Sequence, residues 1–142
     1  MEKLSKEAED ILYGRFGKDC LIALATIGKG KPHVRTVDAY YCDSAFFVLT
    51  HALSGKMRQI AQDPAVAIAA DWFTAHGTAK NLGWFCEEKN RDIAARMQTV
   101  FAQWIDNGHN DFSDRNTCIL RIGLTDGVLS SHGTRYDIDF ST

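Results

Sequence analysis

The stretch CLIALATIGKGKPHVRTVDAYYCDSAFFVLT, residues 20–50, decides the fold. Its β-branched and aromatic residues form short runs that turn-forming residues separate, which is typical of strands joined by tight turns. The runs predict, in order, a strand over Cys20–Ile27, a hairpin turn at Gly28–Lys31, a strand over Pro32–Tyr41, a turn at Asp43-Ser44 and a strand over Ala45–Thr50. This part of the chain is therefore expected to fold as an antiparallel meander.

Helical patterns flank the meander on both sides. The spacing of Leu4, Ala8, Ile11 and Leu12 places them on one face of a helix, which Gly17 is expected to end. A short helix is expected to start at Ser54 and to stop at Asp63-Pro64, because the residue before a proline avoids the helical region.

A longer helix is predicted between Asn90 and Asn107, with Gly108 as its stop. Its apolar residues form a single stripe: Ile93, Ala94, Met97, Val100, Phe101, Trp104 and Ile105.

Four more strands complete the prediction. They are Ala65–Asp71, Thr74–Leu82, Thr117–Leu124 and Tyr136–Phe140, the last two joined across Asp126-Gly127 and His132-Gly133. About seven mostly antiparallel strands with about three interspersed helices predict an α+β fold built on a closed or partly closed barrel. No linker or repeat interrupts the chain, so residues 1–142 are expected to form a single domain.

Composition excludes several functional classes. The 142 residues include 16 basic and 18 acidic side chains, a formal charge of −2, and no two Lys or Arg residues are adjacent. Nucleic acid is therefore not an expected partner. A charged N-terminus and the lack of a long apolar run predict a cytoplasmic protein that does not bind membranes. The four cysteines lack metal-ligand spacing and are expected to be reduced thiols, so no metal site is predicted.

The segment Thr50-His51-Ala52-Leu53-Ser54-Gly55-Lys56 carries the clearest chemical signal. Free N–H groups at the start of a helix, the Ser54 hydroxyl and the Lys56 ammonium can converge on one anion, and a phosphate monoester suits such a site. The alternative is a serine that only caps its helix and a lysine that only meets solvent.

Two further residues could contribute to the same site. Arg35 lies among apolar and β-branched neighbours and offers a second cation, although it could equally be a charge at a sheet edge. His51 lies in the candidate ligand loop, or is a polar loop residue without a chemical role. Spacing reveals no catalytic triad or dinucleotide-binding glycine motif, and the catalytic residues, if any, are unknown.

At these residues the sequence resembles the pyridoxamine 5′-phosphate oxidase-like family of FMN-binding split β-barrels. The resemblance covers about residues 10–140 and depends on the order of its motifs along the chain. These are Arg35-Thr36-Val37, Phe46–Thr50, Ser54-Gly55-Lys56, Asp63–Ala67, Gly77-Thr78-Ala79 and Tyr136–Phe140.

The resemblance implies FMN at a homodimer interface. By position, Arg35, Thr36 and Val37 would run along the flavin, Thr50 and His51 would approach its ring and ribityl chain, and Ser54 and Lys56 would hold its phosphate. Two departures argue against vitamin B6 oxidation. Gly55 stands where the oxidase has an arginine, and the oxidase's C-terminal substrate segment, which contains an arginine, has no counterpart after Phe140.

The sequence thus predicts an FMN-binding homodimer that acts as a flavin-dependent oxidoreductase on a small-molecule redox substrate of unknown identity. The flavin would transfer the hydride or electrons, and the protein would supply position and electrostatics. The alternative is a non-catalytic redox sensor or carrier that binds flavin, deazaflavin or haem, with His51 or His132 relevant in the haem case.

Overall fold

The computed structural model describes residues 1–141, so residue 142 of the predicted domain lies outside the described part. Eight strands and three α-helices alternate along the chain. Their bounds are β1 (Glu2–Lys3), α1 (Lys6–Phe16), β2 (Cys20–Gly28), β3 (Lys31–Cys42), β4 (Ala45–His51), α2 (Gly55–Gln62), β5 (Ala65–Ala70), β6 (Phe73–Trp84), α3 (Arg91–Val100), β7 (Thr117–Ser131) and β8 (Thr134–Asp139). A short 3₁₀ turn over Glu88–Asn90 leads into α3.

Six of the strands close into an antiparallel barrel. The neighbours run β7-β4-β3-β2-β5-β6, and β6 pairs back with β7 to close the ring. β8 pairs antiparallel with β7 outside the ring, and β1 adds a short parallel pair to β8. The predicted α+β fold, a mostly antiparallel barrel with flanking helices, is confirmed.

The side chains of β2 alternate between the barrel interior and its outer face. Ile22, Leu24 and Thr26 are buried at 1%, 0% and 1% exposure. The inward residues join a core into which α1 packs Leu12 and Phe16 and α2 packs Met57 and Ile60. A second buried cluster forms between the barrel wall and α3. α2 thus contributes to the main core, and its position relative to the barrel is fixed by packing.

The final strands differ from the prediction. β7 runs unbroken to Ser131, so the expected strand end at Leu124 and the break at Asp126-Gly127 are wrong. Gly127 lies within the strand because it pairs with Ala75 of β6 and Ile138 of β8, and a Cβ there would be 2.9 Å from Cε1 of Phe73. The glycine serves a close approach between strands, and the turn to β8 lies at His132-Gly133, where both residues have positive φ.

The long helix is also shorter than predicted. α3 ends at Val100, and the chain continues in successive turns rather than as a helix to Asn107. Contacts from outside the helix hold these turns: the Trp104 indole N–H donates to Asp19 at 2.9 Å, and the Asn110 amide donates to the Ile105 carbonyl at 3.1 Å. The predicted apolar stripe still packs into the second cluster.

No helix within residues 1–141 is long and apolar enough to cross a membrane. All four cysteines are free thiols: Cys42 and Cys118 are buried, Cys20 is half-buried and Cys86 is exposed.

Candidate functional site

Ser54 occupies the N-cap of α2 without capping it. Its backbone is extended, with φ −67° and ψ 160°, yet its side chain makes no capping hydrogen bond. The hydroxyl is buried and has no partner among the residues that the structure describes. Apart from its chain neighbours and the backbone of its own helix, no heavy atom of the described residues lies within 4 Å of the point where a Cβ on Gly55 would stand, so this side of the first turn is open. An unpaired buried hydroxyl beside free backbone N–H groups can donate hydrogen bonds to an anion.

Two cations lie at this helix start. Burial, and next the charge of the Arg35 guanidinium, lower the pKa of Lys56, so the two side chains are close enough to repel. Burial also lowers the pKa of Arg35. Within residues 1–141, neither cation forms an ion pair with an acidic side chain. The two positive charges therefore repel each other, and no negative side chain among the described residues compensates them.

The Arg35 guanidinium is held by neutral oxygens. It donates to Thr26 Oγ1 at 2.7 Å, to Gln59 Oε1 at 3.0 Å and to the Leu24 carbonyl at 3.2 Å. These acceptors hold the guanidinium in place and leave its positive charge available to a ligand.

Thr50 and His51 end the strand that leads into α2. Thr50 pairs across the sheet with Cys118, and the charge of Lys56 acts on the Cys118 thiol. His51 Nε2 lies 2.9 Å from Asp114 Oδ2, while its Nδ1 accepts from the Leu53 backbone N–H at 3.3 Å. Both ring nitrogens are therefore engaged within the chain, with Nε2 as the donor to the carboxylate.

The remaining predicted site residues lie apart from the two cations. Val37 faces the interior opposite Ile22 and packs against the main core. Thr36 is exposed and lies on the opposite face of β3 from Arg35, because side chains alternate along a strand. The structure thus places Ser54 and Lys56 at the start of α2, holds Arg35 against Gln59 of the same helix, and places Thr36 on the outer wall of the barrel.

Three residues at or near the site were missed from the sequence. Gln59 follows Lys56 by three residues and so shares its face of α2, which is a usable signal. Thr26 occupies an inward position of β2 between apolar neighbours, and a buried hydroxyl there indicates a polar partner. Asp114 lies in a polar loop, and no sequence pattern connects it with His51.

No protein-family model and no curated protein matches the chain. Solved structures do match its fold. Three of these matches each cover more than four-fifths of both chains. A FAD-binding protein from Mesorhizobium loti has 15% identity and a TM-score of 0.66, covering 87% of this chain and 92% of the other. HutZ, a haem storage protein from Vibrio cholerae, has 20% identity and a TM-score of 0.62, with 86% and 90% covered. A pyridoxamine 5′-phosphate oxidase-related, FMN-binding protein from Nostoc punctiforme has 15% identity and a TM-score of 0.54, with 94% and 91% covered.

At identities of 15–20%, these likenesses show the fold alone. The chain has the barrel fold of these flavin-binding and haem-binding proteins. The predicted resemblance to the pyridoxamine 5′-phosphate oxidase-like split barrels is confirmed at the level of fold.

Proposed function

We propose that this chain binds FMN and holds the flavin phosphate with Ser54, Lys56 and Arg35. The observation that carries the proposal is the combination, among residues 1–141, of two neighbouring cations without acidic partners and a buried hydroxyl without a hydrogen-bond partner. A phosphate monoester fits this donor set, since it carries a charge near −2 and three acceptor oxygens. The N–H groups at the start of α2 would add further donors to the same oxygens.

Charge supports a phosphate more strongly than a neutral ligand. Two like charges near each other, partly shielded from water, raise the free energy of the unliganded state. A bound dianion replaces this repulsion by attraction to both cations and so acts to raise the pKa of Lys56. The site is therefore expected to discriminate FMN from riboflavin, which lacks the phosphate.

The histidines favour flavin over haem. Both ring nitrogens of His51 are engaged, so it has no free nitrogen for an iron ion. His132 is exposed at the β7–β8 turn, where its φ is 49°. In this structure neither histidine offers a buried nitrogen that could bind a haem iron as an axial ligand. Haem remains the second candidate because a haem storage protein shares the fold.

When bound, FMN would supply hydride or electron transfer, and the chain would bind and orient it. We propose a flavin-dependent oxidoreductase that works as a homodimer on a small redox substrate. A sensor or carrier is the alternative. Repeated oxidation of a nicotinamide or deazaflavin donor by the flavin-loaded protein would indicate a catalyst, whereas loading without turnover would indicate a carrier.

The test of the phosphate site is Lys56→Ala, titrated by calorimetry with FMN and with riboflavin. Loss of a charge-assisted hydrogen bond should weaken FMN binding by about 1.5–3 kcal/mol, roughly ten- to a hundredfold. Riboflavin should bind the variant and the wild type equally, because it never makes this contact. Lys80→Ala removes an exposed lysine on β6 and serves as the matched control.

Two results would count against the phosphate site. Equal losses for FMN and riboflavin would indicate damage to the fold rather than a lost phosphate contact. An unchanged FMN affinity would leave Ser54 and Lys56 with a structural role only. An absorbance spectrum of the purified protein separates the cofactors, since flavin and haem have different bands.

A further inference from the structure

Three side chains, those of Thr26, Arg35 and Gln59, form a closed hydrogen-bond triangle. Arg35 donates to the Thr26 hydroxyl at 2.7 Å and to Gln59 Oε1 at 3.0 Å, and Thr26 donates to the same Gln59 oxygen at 2.5 Å. Thr26 is 1% exposed, so its hydroxyl depends on these partners. The Gln59 oxygen, with two lone pairs, is fully used by its two donors.

The triangle links the paired strands β2 and β3 to helix α2. Thr26 lies on β2, Arg35 on β3 and Gln59 on α2, one turn after Lys56. Gly28 at the end of β2 gives the amide its room, because a Cβ there would lie 3.0 Å from both Cγ and Nε2 of Gln59. The Arg35 guanidinium is thus tied to the helix that carries Lys56.

The chemistry of position 59 bears directly on the site's charge. A glutamate there could accept the same two hydrogen bonds, and it would neutralise Arg35. It would also place a carboxylate three residues from Lys56 on the same helix face. A neutral amide instead fixes the direction of the guanidinium and preserves its charge.

We propose that Gln59 and Thr26 are positioning residues that orient Arg35 toward the anion at the start of α2. They thereby set the preference of the site for a phosphorylated over an unphosphorylated ligand. This inference rests on the proposed function, since it assigns these two residues a part in the same phosphate site.

Gln59→Glu is the most informative variant because it changes charge and retains shape and hydrogen-bond acceptors. We expect its FMN affinity to fall about tenfold or more while its riboflavin affinity stays within about twofold of wild type. Its thermal midpoint should not fall, since Arg35 gains an ionic partner. Gln62→Glu introduces the same charge at an exposed position of the same helix and is the control for long-range electrostatics.

Thr26 provides an independent test of orientation without a change of charge. Thr26→Val removes the hydroxyl and should lower FMN affinity several-fold with little change for riboflavin. Thr26→Ser retains the hydroxyl and should restore FMN binding. If Gln59→Glu fails to fold, Gln59→Leu measures the same loss of FMN preference.

The outcomes separate this inference from the proposed function. If wild type binds FMN and riboflavin equally, the phosphate site itself is wrong and this inference falls with it. If Lys56→Ala loses the FMN preference but Gln59→Glu and Thr26→Val retain it, the phosphate site stands and the positioning role is wrong. A Gln62→Glu loss as large as that of Gln59→Glu would reduce the effect to general electrostatics and overturn the role of Gln59.

Discussion

Ser5 and Ser54 occupy the same position in their helices, yet their hydroxyls differ. Ser5 caps α1 by accepting from the Ala8 backbone N–H at 3.1 Å. Ser54 makes no such bond at the start of α2, although its backbone has the same extended conformation. From the sequence the two serines are equivalent cap candidates. The difference between a structural cap and a ligand site becomes visible only in the hydrogen bonds.

Two thiols make the stability of the chain sensitive to alkali. Burial raises the pKa of Cys118 from 9.0 to about 11. Burial, with a smaller contribution from Asp19 and Asp38, raises that of Cys20 to about 12. From about pH 9 upward the unfolded chain releases protons that the folded chain retains, so the free energy of unfolding falls as pH rises. This loss continues until the folded thiols ionise.

We therefore expect urea midpoints to decrease between about pH 8 and 9.5, below the range in which unfolded tyrosines ionise. The double variant Cys20→Ser, Cys118→Ser should be less stable at neutral pH but should show a flatter pH profile. Urea unfolding under reducing conditions measures both. Cys86→Ser, at an exposed position, should retain the wild-type slope. Parallel profiles for the double variant and wild type would show that these thiols do not cause the loss.

Elements with local signals could be predicted from the sequence, and elements fixed by distant contacts could not. α1 and α2 carry residues that mark their starts and stops, and the β2–β3–β4 meander carries its own turns. The length of β7 depends instead on its pairing with β6, which is distant in the sequence. The same division applies to the site, where Ser54 and Lys56 share one motif but Asp114 meets His51 only through the fold.

Gly127 and Gly14 provide a matched pair of tests at the level of the element. A Cβ at Gly127 in β7 would meet Phe73 Cε1 at 2.9 Å and the Thr74 carbonyl at 3.0 Å. Gly127→Ala should therefore destabilise the barrel by about 1–3 kcal/mol through overpacking. Gly14 lies exposed within α1, and apart from its chain neighbours and the backbone of its own helix no heavy atom of the described residues lies within 4 Å of its Cβ position. Gly14→Ala should stabilise the chain by about 0.5–1 kcal/mol.

Chemical denaturation of both variants measures the two effects. The opposite signs of the two stability changes matter more than their magnitudes. The substitution is the same in both variants, and only the surroundings of the glycine differ. A neutral Gly127→Ala would show that β6 and β7 separate easily at this point. Such a result would indicate that the strand is weakly held at Asp126-Gly127.

The outer face of β2 and the neighbouring part of β3, called the β2–β3 wall below, carry apolar side chains where a face in contact with water would carry polar ones. β2 carries apolar residues on both faces, and its outward Leu21 is 63% exposed. Val34, beside Ala25 on the neighbouring strand, is 70% exposed. A groove of about 300 Å³ follows on the same wall, lined in part by Ala23, Ala67 and other small residues. An antiparallel strand with one face in water normally alternates with polar residues, so this wall indicates a covered surface.

The three tryptophans differ in how they are engaged. Trp84 and Trp104 are both half-buried. Their indole N–H groups donate within the chain, to the Phe112 carbonyl at 2.8 Å and to Asp19 at 2.9 Å. Trp72 is 74% exposed at the β5–β6 turn. The case for a homodimer therefore depends on the β2–β3 wall more than on exposed tryptophans.

We expect the β2–β3 wall to pair with a second copy of this chain. A stable interface buries about 800 Å² per partner, near a tenth of the 8056 Å² that this chain exposes. Val34→Lys places a charge at the centre of the wall and should convert the dimer to a monomer at micromolar concentration, as measured by light scattering. Ala95→Lys adds the same charge at an exposed position of α3 and should leave the dimer intact. Because Thr36 lies on the same wall, the monomeric variant should also bind FMN more weakly if the cofactor spans the interface. A monomeric wild type, with FMN present, would overturn the homodimer and would leave the apolar wall for a different partner.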